Sequence, residues 1–299
     1  MAITTDLTSL WKLQANGDDH IGPYNPQAIT GVTFVTDSSK QVAEFSSGQI
    51  RYDPNTIDGI STNFTIACWL KVDTIQDSII LTNAYSGSTF PSVQLSVRPG
   101  GTIRFQFYTS NGAGGANTVE TPSAISASTW YHFVFSYDGS TMTIYQDGSS
   151  VATQSAGGSP FTNGFSISVG SYRPYSSGLF LDGRMSDLAL WYRAITSTEV
   201  SSIYSAGLAN FSSLLPDVKL RGQFGSVVHD TPPQFLKLEG QFGSVVHDSP
   251  ASLLKLEGQF GSVVHSGAAP PPSGGGGLPG QGGSLQGSIL QGFSTEGLI

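Results

Sequence analysis

Charge is scarce in this chain. Only 11% of its 299 residues are charged, and the 21 acidic residues outnumber the 13 basic ones to leave a net charge of −8. No basic field exists to gather a phosphate backbone, which excludes nucleic acid as a partner and leaves other polyanions poorly matched. Cysteine is all but missing. Cys68 stands alone, so no disulfide can form within the chain and the thiol is expected to be buried and free. No segment approaches the roughly 20 apolar residues that a spanning helix needs, so no membrane partner is expected. The opening Met1-Ala-Ile-Thr-Thr-Asp-Leu-Thr-Ser-Leu-Trp11 has neither the basic start nor the apolar centre of a Sec signal, so export by that route is not expected.

What the chain does have is glycine, 37 residues of it, with many serines and threonines, the composition of short strands joined by tight turns. From residue 10 to about 192 apolar residues alternate with polar ones in short runs. The clearest are Phe64-Thr-Ile-Ala-Cys-Trp-Leu-Lys-Val72, Thr102-Ile-Arg-Phe-Gln-Phe-Tyr108, Trp130-Tyr-His-Phe-Val-Phe-Ser-Tyr137 and Met142-Thr-Ile-Tyr-Gln146. Asp138-Gly139-Ser140 and Asp147-Gly148 read as hairpin turns that bring three neighbouring antiparallel strands together. So many strands imply two packed sheets, because one open sheet would leave a wet apolar face. A single helix is expected near the end of this region. Thr196-Ser-Thr-Glu199 is a capping box, Val200, Ile203 and Tyr204 share a face, and Gly207 is placed to stop the helix. The expectation is an all-β, two-sheet antiparallel jelly-roll sandwich over 1–210, closed by that helix.

The remainder is different in kind. Val218-Lys-Leu-Arg-Gly-Gln-Phe-Gly-Ser-Val-Val-His-Asp230 returns with small changes from Leu236 and again from Leu254, so that Gln223, Gln241 and Gln259 fall 18 residues apart. Leu236, Leu238, Phe242 and Val246 share one strand face, and Lys237, Glu239, Gln241 and His247 share the other. Residues 214–266 are therefore read as three amphipathic strands forming a small meander on Asp-Thr-Pro-Pro and Asp-Ser-Pro turns. Such a meander cannot bury its own apolar face. Phe224, Phe242, Phe260, Leu236, Leu238, Leu254 and Leu256 are the candidate assembly residues, against further copies of the chain, with a trimer as the expected symmetry, or against other structural proteins. His229, His247 and His265 recur at one position per repeat, as a solvated strand end or as a cluster for a metal or a pH response. Residues 267–299 have the Gly/Pro/Ser composition of a linker, expected to order only against a partner.

Four stretches of the sandwich resemble the LamG-like jelly-roll family of the concanavalin A-like superfamily, over about residues 5–208. Leu10-Trp-Lys-Leu-Gln-Ala-Asn-Gly-Asp-Asp-His-Ile-Gly22 resembles its first strand and acidic loop, and Phe64–Val72 its core strand. Trp130-Tyr-His-Phe-Val-Phe-Ser-Tyr-Asp-Gly-Ser-Thr-Met-Thr-Ile-Tyr-Gln-Asp-Gly148 matches the family's hairpin pair. Leu181-Asp-Gly-Arg-Met-Ser-Asp-Leu-Ala-Leu-Trp-Tyr-Arg-Ala-Ile-Thr-Ser-Thr-Glu-Val200 matches its closing block. The fold hosts lectins, adhesion modules and glycosidases alike, so it does not by itself give a function. Retaining β-glucanases on a related fold carry an E-x-D-x-x-E strand, since acid and nucleophile must sit about 5 Å apart. That pattern is absent here. Glu44, Glu120 and Glu199 are isolated in sequence, and no HExxH, P-loop or nucleophile–base signature occurs. No enzymatic activity is expected.

Two binding roles follow from the resemblance. Family members often hold Ca²⁺ at one rim, which makes Asp18, Asp19 and Asp187 candidate ligands, although Leu188 replaces a second acid and the aspartates could equally cap turns. For glycans, aromatic faces beside planar hydrogen-bonding groups on loops point to Tyr172, Arg173 and Tyr175, with Tyr85, Phe90 and Asn111 on other loops. The expected whole is a virion-surface fibre, spike or decoration protein, its repeats multimerising a lectin-like head that binds surface glycans. A bacterial surface or extracellular-filament protein of the same architecture is the alternative, and a glycan hydrolase the second.

Overall fold

The computed structural model describes residues 3–22, 24–52, 62–83, 91–110, 115–161, 166–172, 179–214, 217–229, 235–247 and 253–265. They form two compact units that divide after Leu214.

The first unit contains β1 (Leu7–Trp11), β2 (Pro26–Asp37), β3 (Lys40–Tyr52), β4 (Phe64–Val72), β5 (Ser78–Asn83), β6 (Val93–Val97), β7 (Ile103–Tyr108), β8 (Ala116–Glu120), β9 (Trp130–Tyr137), β10 (Thr141–Gln146), β11 (Ser149–Ser155), β12 (Ile167–Val169) and β13 (Asp182–Trp191), then α1 (Ser197–Ala206) and a 3₁₀ turn, Phe211–Leu214. The two expected hairpins form. Asp138 Oδ1 accepts hydrogen bonds from the Ser140 and Thr141 amides at 2.9 and 2.8 Å, and Gly139 takes the left-handed φ of 96° that the turn requires.

The strands hydrogen-bond in the order β11-β10-β9-β4-β13-β3-β12-β5-β6-β7-β8, with β1 added to β13 and β2 to β3. The two layers expected from the sequence are the halves of this path, and β3 joins them. Its first half pairs with β13 through Ala43–Ser46, and its second with β12 through Ile50 and Arg51. The corner between them falls at Ser47 and Gly48, opposite Gly31 of β2. A Cβ on Gly48 would lie 2.0 Å from the Gly31 carbonyl oxygen, so the backbones can meet there only if residue 48 is glycine. At the far ends of the path Asn117 of β8 exchanges hydrogen bonds with Gly157, just past β11, so the sheet almost closes on itself.

Aromatic side chains fill the space between the layers. Phe105 meets Phe64 and Phe135 edge-on at 5.8 and 5.9 Å between centroids, and Phe107 meets Tyr137 at 4.7 Å. Each such pair contributes about 1 kcal/mol beyond the area it buries. Cys68 lies in this core as a free thiol, pushed up to about 12 by burial.

Helix α1 begins where the capping box places it. The Thr196 hydroxyl accepts from the Glu199 amide, the Glu199 carboxylate accepts from the Thr196 amide at 2.8 Å, and Gly207 ends the helix at φ 84°. Val200 and Ile203 are buried, and Tyr204 stacks on Trp69 at 5.8 Å.

The second unit holds β14 (Asp217–His229), β15 (Phe235–His247) and β16 (Leu253–His265), and here the expected meander gives way to a different arrangement. The strands pair parallel and in register, each residue beside its equivalent in the next repeat. A straight strand of 13 residues is about 40 Å long, whereas the residues 230–234 that must return the chain to the start of β15 reach at most about 22 Å. The strands therefore bend. The ladder skips Gly225, Gly243 and Gly261, where a bend costs least.

Candidate functional site

Strand β7 alternates Ile103, Phe105 and Phe107 into the core with Arg104, Gln106 and Tyr108 on the other face. Pairing carries that outer face across the layer. Arg51, Ser168, Thr82, Gln94, Gln106 and Thr118 lie directly opposite one another on β3, β12, β5, β6, β7 and β8, so six polar residues form one row. Ser96, Arg104 and Glu120 make a shorter row beside it.

This face is polar yet largely covered. Thr82, Ser96 and Ser168 are fully buried and Gln94 is 6% exposed, while Arg104, Gln106, Tyr108 and Thr118 are half-buried. Part of its hydrogen-bonding capacity is used internally. Gln106 Nε2 donates to Thr118 Oγ1 at 3.0 Å, and Ser171 Oγ donates to Gln49 Oε1 at 2.7 Å while bonding Ser168 Oγ at 2.9 Å. Part remains open, since Arg104 Nε and Ser96 Oγ, at paired positions, have no hydrogen-bond partner. Burial is the main cause that destabilises the Arg104 charge, and the neighbouring Arg98 adds to it. Tyr108 is raised above the usual phenol range by burial first and by the nearby Tyr172 second. Guanidinium, amides and two phenols thus converge on one half-buried surface, which suits a ligand with many hydroxyls and an apolar face.

Tyr172 is the one predicted glycan residue within the described residues, and it is brought to this surface. Tyr85, Phe90, Asn111, Arg173 and Tyr175 lie outside the described residues. Asn83 of β5 and Tyr108 of β7 lie at the same end of the sheet. Arg104, Gln106 and Tyr108 are not among the residues expected from the sequence, although their alternation with Ile103, Phe105 and Phe107 shows there. The rest of the row could not be read because it joins strands far apart in the chain.

The three candidate calcium ligands are not brought together. Asp18 is exposed and accepts from Asn16 Nδ2 at 2.6 Å. Asp19 Oδ1 accepts from the Leu10 and Ile21 amides, both at 3.0 Å, and so anchors its own loop. Asp187 lies across β1 from Asp19, since Trp11 bridges Asp19 on one side and pairs with Leu188 on the other. It is 4% exposed, and Oδ2 accepts from the Phe211 amide at 3.0 Å. Burial pushes its carboxyl up to about 6, against the opposing pull of the Phe211 amide and of Lys12. Among the described residues no three His, Cys, Asp or Glu side chains are grouped to hold a metal. This donor set does not fit an all-oxygen calcium centre.

The glutamates of the sandwich have other roles. Glu44 binds Arg184 at 2.6 Å, Glu120 accepts from the Thr102 hydroxyl, and Glu199 caps α1 while pairing with Arg193 at 2.7 Å. Burial pushes His132 down to about 3, so it stays neutral beneath Trp69 and Tyr204. In the second unit the assembly candidates fall into columns. Phe224, Phe242 and Phe260 share one, Leu236 and Leu254 stand with Val218, and Leu238 and Leu256 with Leu220.

A family model described as the concanavalin A-like lectin/glucanases superfamily matches residues 45–201. Among solved structures the chain is similar to domain 4 of a GH43 extracellular arabinanase from Geobacillus stearothermophilus in complex with arabinotriose. The identity is 18% and the TM-score 0.54, over 67% of this chain and 98% of that one. It is also similar to the binding domain of Paraclostridial Mosquitocidal Protein 1, at 16% identity and TM-score 0.55 over 68% of this chain and 53% of that one. A third likeness is to the receptor binding domain of botulinum neurotoxin mosaic serotype C/D, at 15% and 0.53 over 69% and 52%. At these identities the likeness is one of fold. No curated protein matches the chain.

Proposed function

Because the chain belongs to the concanavalin A-like lectin/glucanase superfamily, we propose that it is a non-enzymatic glycan-binding and display protein of an external assembly, such as a virion fibre, spike or decoration protein. The sandwich is its lectin-like head, and the repeats carry that head in several copies. The observation that carries the binding role is the outer face of β7, where Arg104, Gln106 and Tyr108 stand in line with Gln94 and Thr118, and Tyr172 lies close to Tyr108. A sugar offers this surface ring hydroxyls for the amides and the guanidinium and an apolar ring face for the phenols. The arabinanase domain gives the fold a precedent with an oligosaccharide in place.

The test is titration calorimetry of the full chain against a panel of soluble oligosaccharides, with Arg104→Ala and Gln106→Ala in parallel. One saccharide should bind, and each variant should weaken it roughly tenfold or more, the value of one charged or well-placed hydrogen bond. Unchanged affinity in both variants would move the site elsewhere. Release of reducing ends from the same panel would overturn the non-enzymatic reading.

A further inference from the structure

In the second unit, register places one charged column whose members differ. Ten of the 13 columns of the repeat stack hold the same residue in all three strands. The exceptions are the two opening columns, Asp217/Phe235/Leu253 and Val218/Leu236/Leu254, and a third made of Arg221, Glu239 and Glu257. Within the chain that third column sets Glu239 between an opposite charge on β14 and a like charge on β16. Like charges directly opposite each other on neighbouring strands are unfavourable. Among the described residues the stack ends at β14 and β16, each with one strand neighbour and one free edge. Neither edge strand contains a proline, so every backbone amide along both edges can take part in pairing.

We propose that the free edge of β16 takes the β14 edge of a second copy of this chain, parallel and in the register of the repeats. The column would then run Arg-Glu-Glu-Arg-Glu-Glu across the junction, placing an Arg directly opposite Glu257, whose paired residue within its own chain is Glu239. The ten uniform columns would continue unchanged. A β16-to-β16 contact would have to be antiparallel and would break every column. A β14-to-β14 contact would leave Glu257 as it is. The contact joins two different edges, so it closes into a ring or continues as a filament, and it cannot stop at a two-fold dimer. It rests on the reading of the repeats as the assembling segment and is independent of glycan binding.

The experiment is light scattering on the full chain over a range of concentrations, for the natural sequence, Glu257→Arg, Arg221→Glu and the double variant, with circular dichroism to confirm folding. Glu257→Arg is the informative change, because it relieves the repulsion inside the chain while setting Arg against Arg at the junction. The natural chain should form a species larger than a dimer. The Glu257→Arg chain should need roughly fivefold more protein to reach half assembly, and the double variant should recover most of the loss. An oligomer that ignores all three changes would overturn the edge contact while leaving multivalent display intact. A monomer at every concentration would overturn both.

Discussion

Asp187 carries a conflict that can be measured. It sits in β13 at a left-handed φ of 49°, is almost fully buried, and holds the Phe211 amide while its Oδ1 has no partner. Its carboxyl, pushed up by burial from 3.8 to about 6, keeps a proton in the folded chain at pH values where the unfolded chain has already lost it. Stability from this group is therefore full below about pH 4, falls as pH rises from 4 to 6, and stays low above that. A shift of roughly two units corresponds to about 3 kcal/mol. Asn at 187 tolerates the left-handed φ and can still accept from Phe211. Half-buried Lys12 loses a partner charge in exchange, so the net gain from Asp187→Asn at pH 8 is about 1–2 kcal/mol, with little change at about pH 3.5. Urea unfolding of both chains at the two pH values checks this. Arg104 is a second residue placed against local stability. Its Nε is unsatisfied and Arg98 stands nearby. Arg104→Ala should cost less than about 0.5 kcal/mol in thermal unfolding even as it weakens saccharide binding.

Among the elements, α1 and the hairpins of β9, β10 and β11 were legible because their signals are local. Thr196 and Glu199 are three residues apart, and the Asp-Gly turns carry their own left-handed requirement. Arg193 was not legible as the partner of Glu199, because the bend between β13 and α1 brings the two together. Burial alone would raise the Glu199 carboxyl, but the Arg193 guanidinium and the Thr196 amide and hydroxyl outweigh it and hold the carboxyl below its usual value. Replacing Glu199 with Ala would leave Arg193 buried without its counter-charge and remove half of the capping box. The expected loss is about 3 kcal/mol, visible as a lower urea midpoint. The parallel pairing of β14, β15 and β16 was hidden for the opposite reason. Five-residue connections, one containing Pro232 and Pro233 and the other Pro250, fit an antiparallel turn, and the alternative requires a bent strand, which strict alternation of faces does not foresee.

At the scale of the molecule the fold was readable and the site only in part. The sandwich follows from alternation, turns and the matched hairpin pair. The row from Arg51 to Thr118 needs the crossover order β3-β12-β5-β6, which no local pattern encodes. The division after Leu214 sets a further expectation: a chain ending there should bind a saccharide with the same affinity per site. It should lose the avidity of the full chain on a glycan-coated surface, by roughly a hundredfold, in side-by-side surface binding measurements.

The way the sandwich ends also decides how it bears mechanical load. The Phe211 amide is tied to Asp187, Trp191 Nε1 donates to the Ile3 carbonyl at 2.8 Å, and Arg193 Nε donates to the Thr5 carbonyl at 2.7 Å. A tug on Leu214 therefore enters the molecule through β13, which is laced to β1, β3 and β4. To yield, that interior strand must be dragged lengthwise past its neighbours, breaking many bonds at once instead of peeling one edge bond at a time. On the proposed display, a head pulled through Leu214 is thus held by an interior strand.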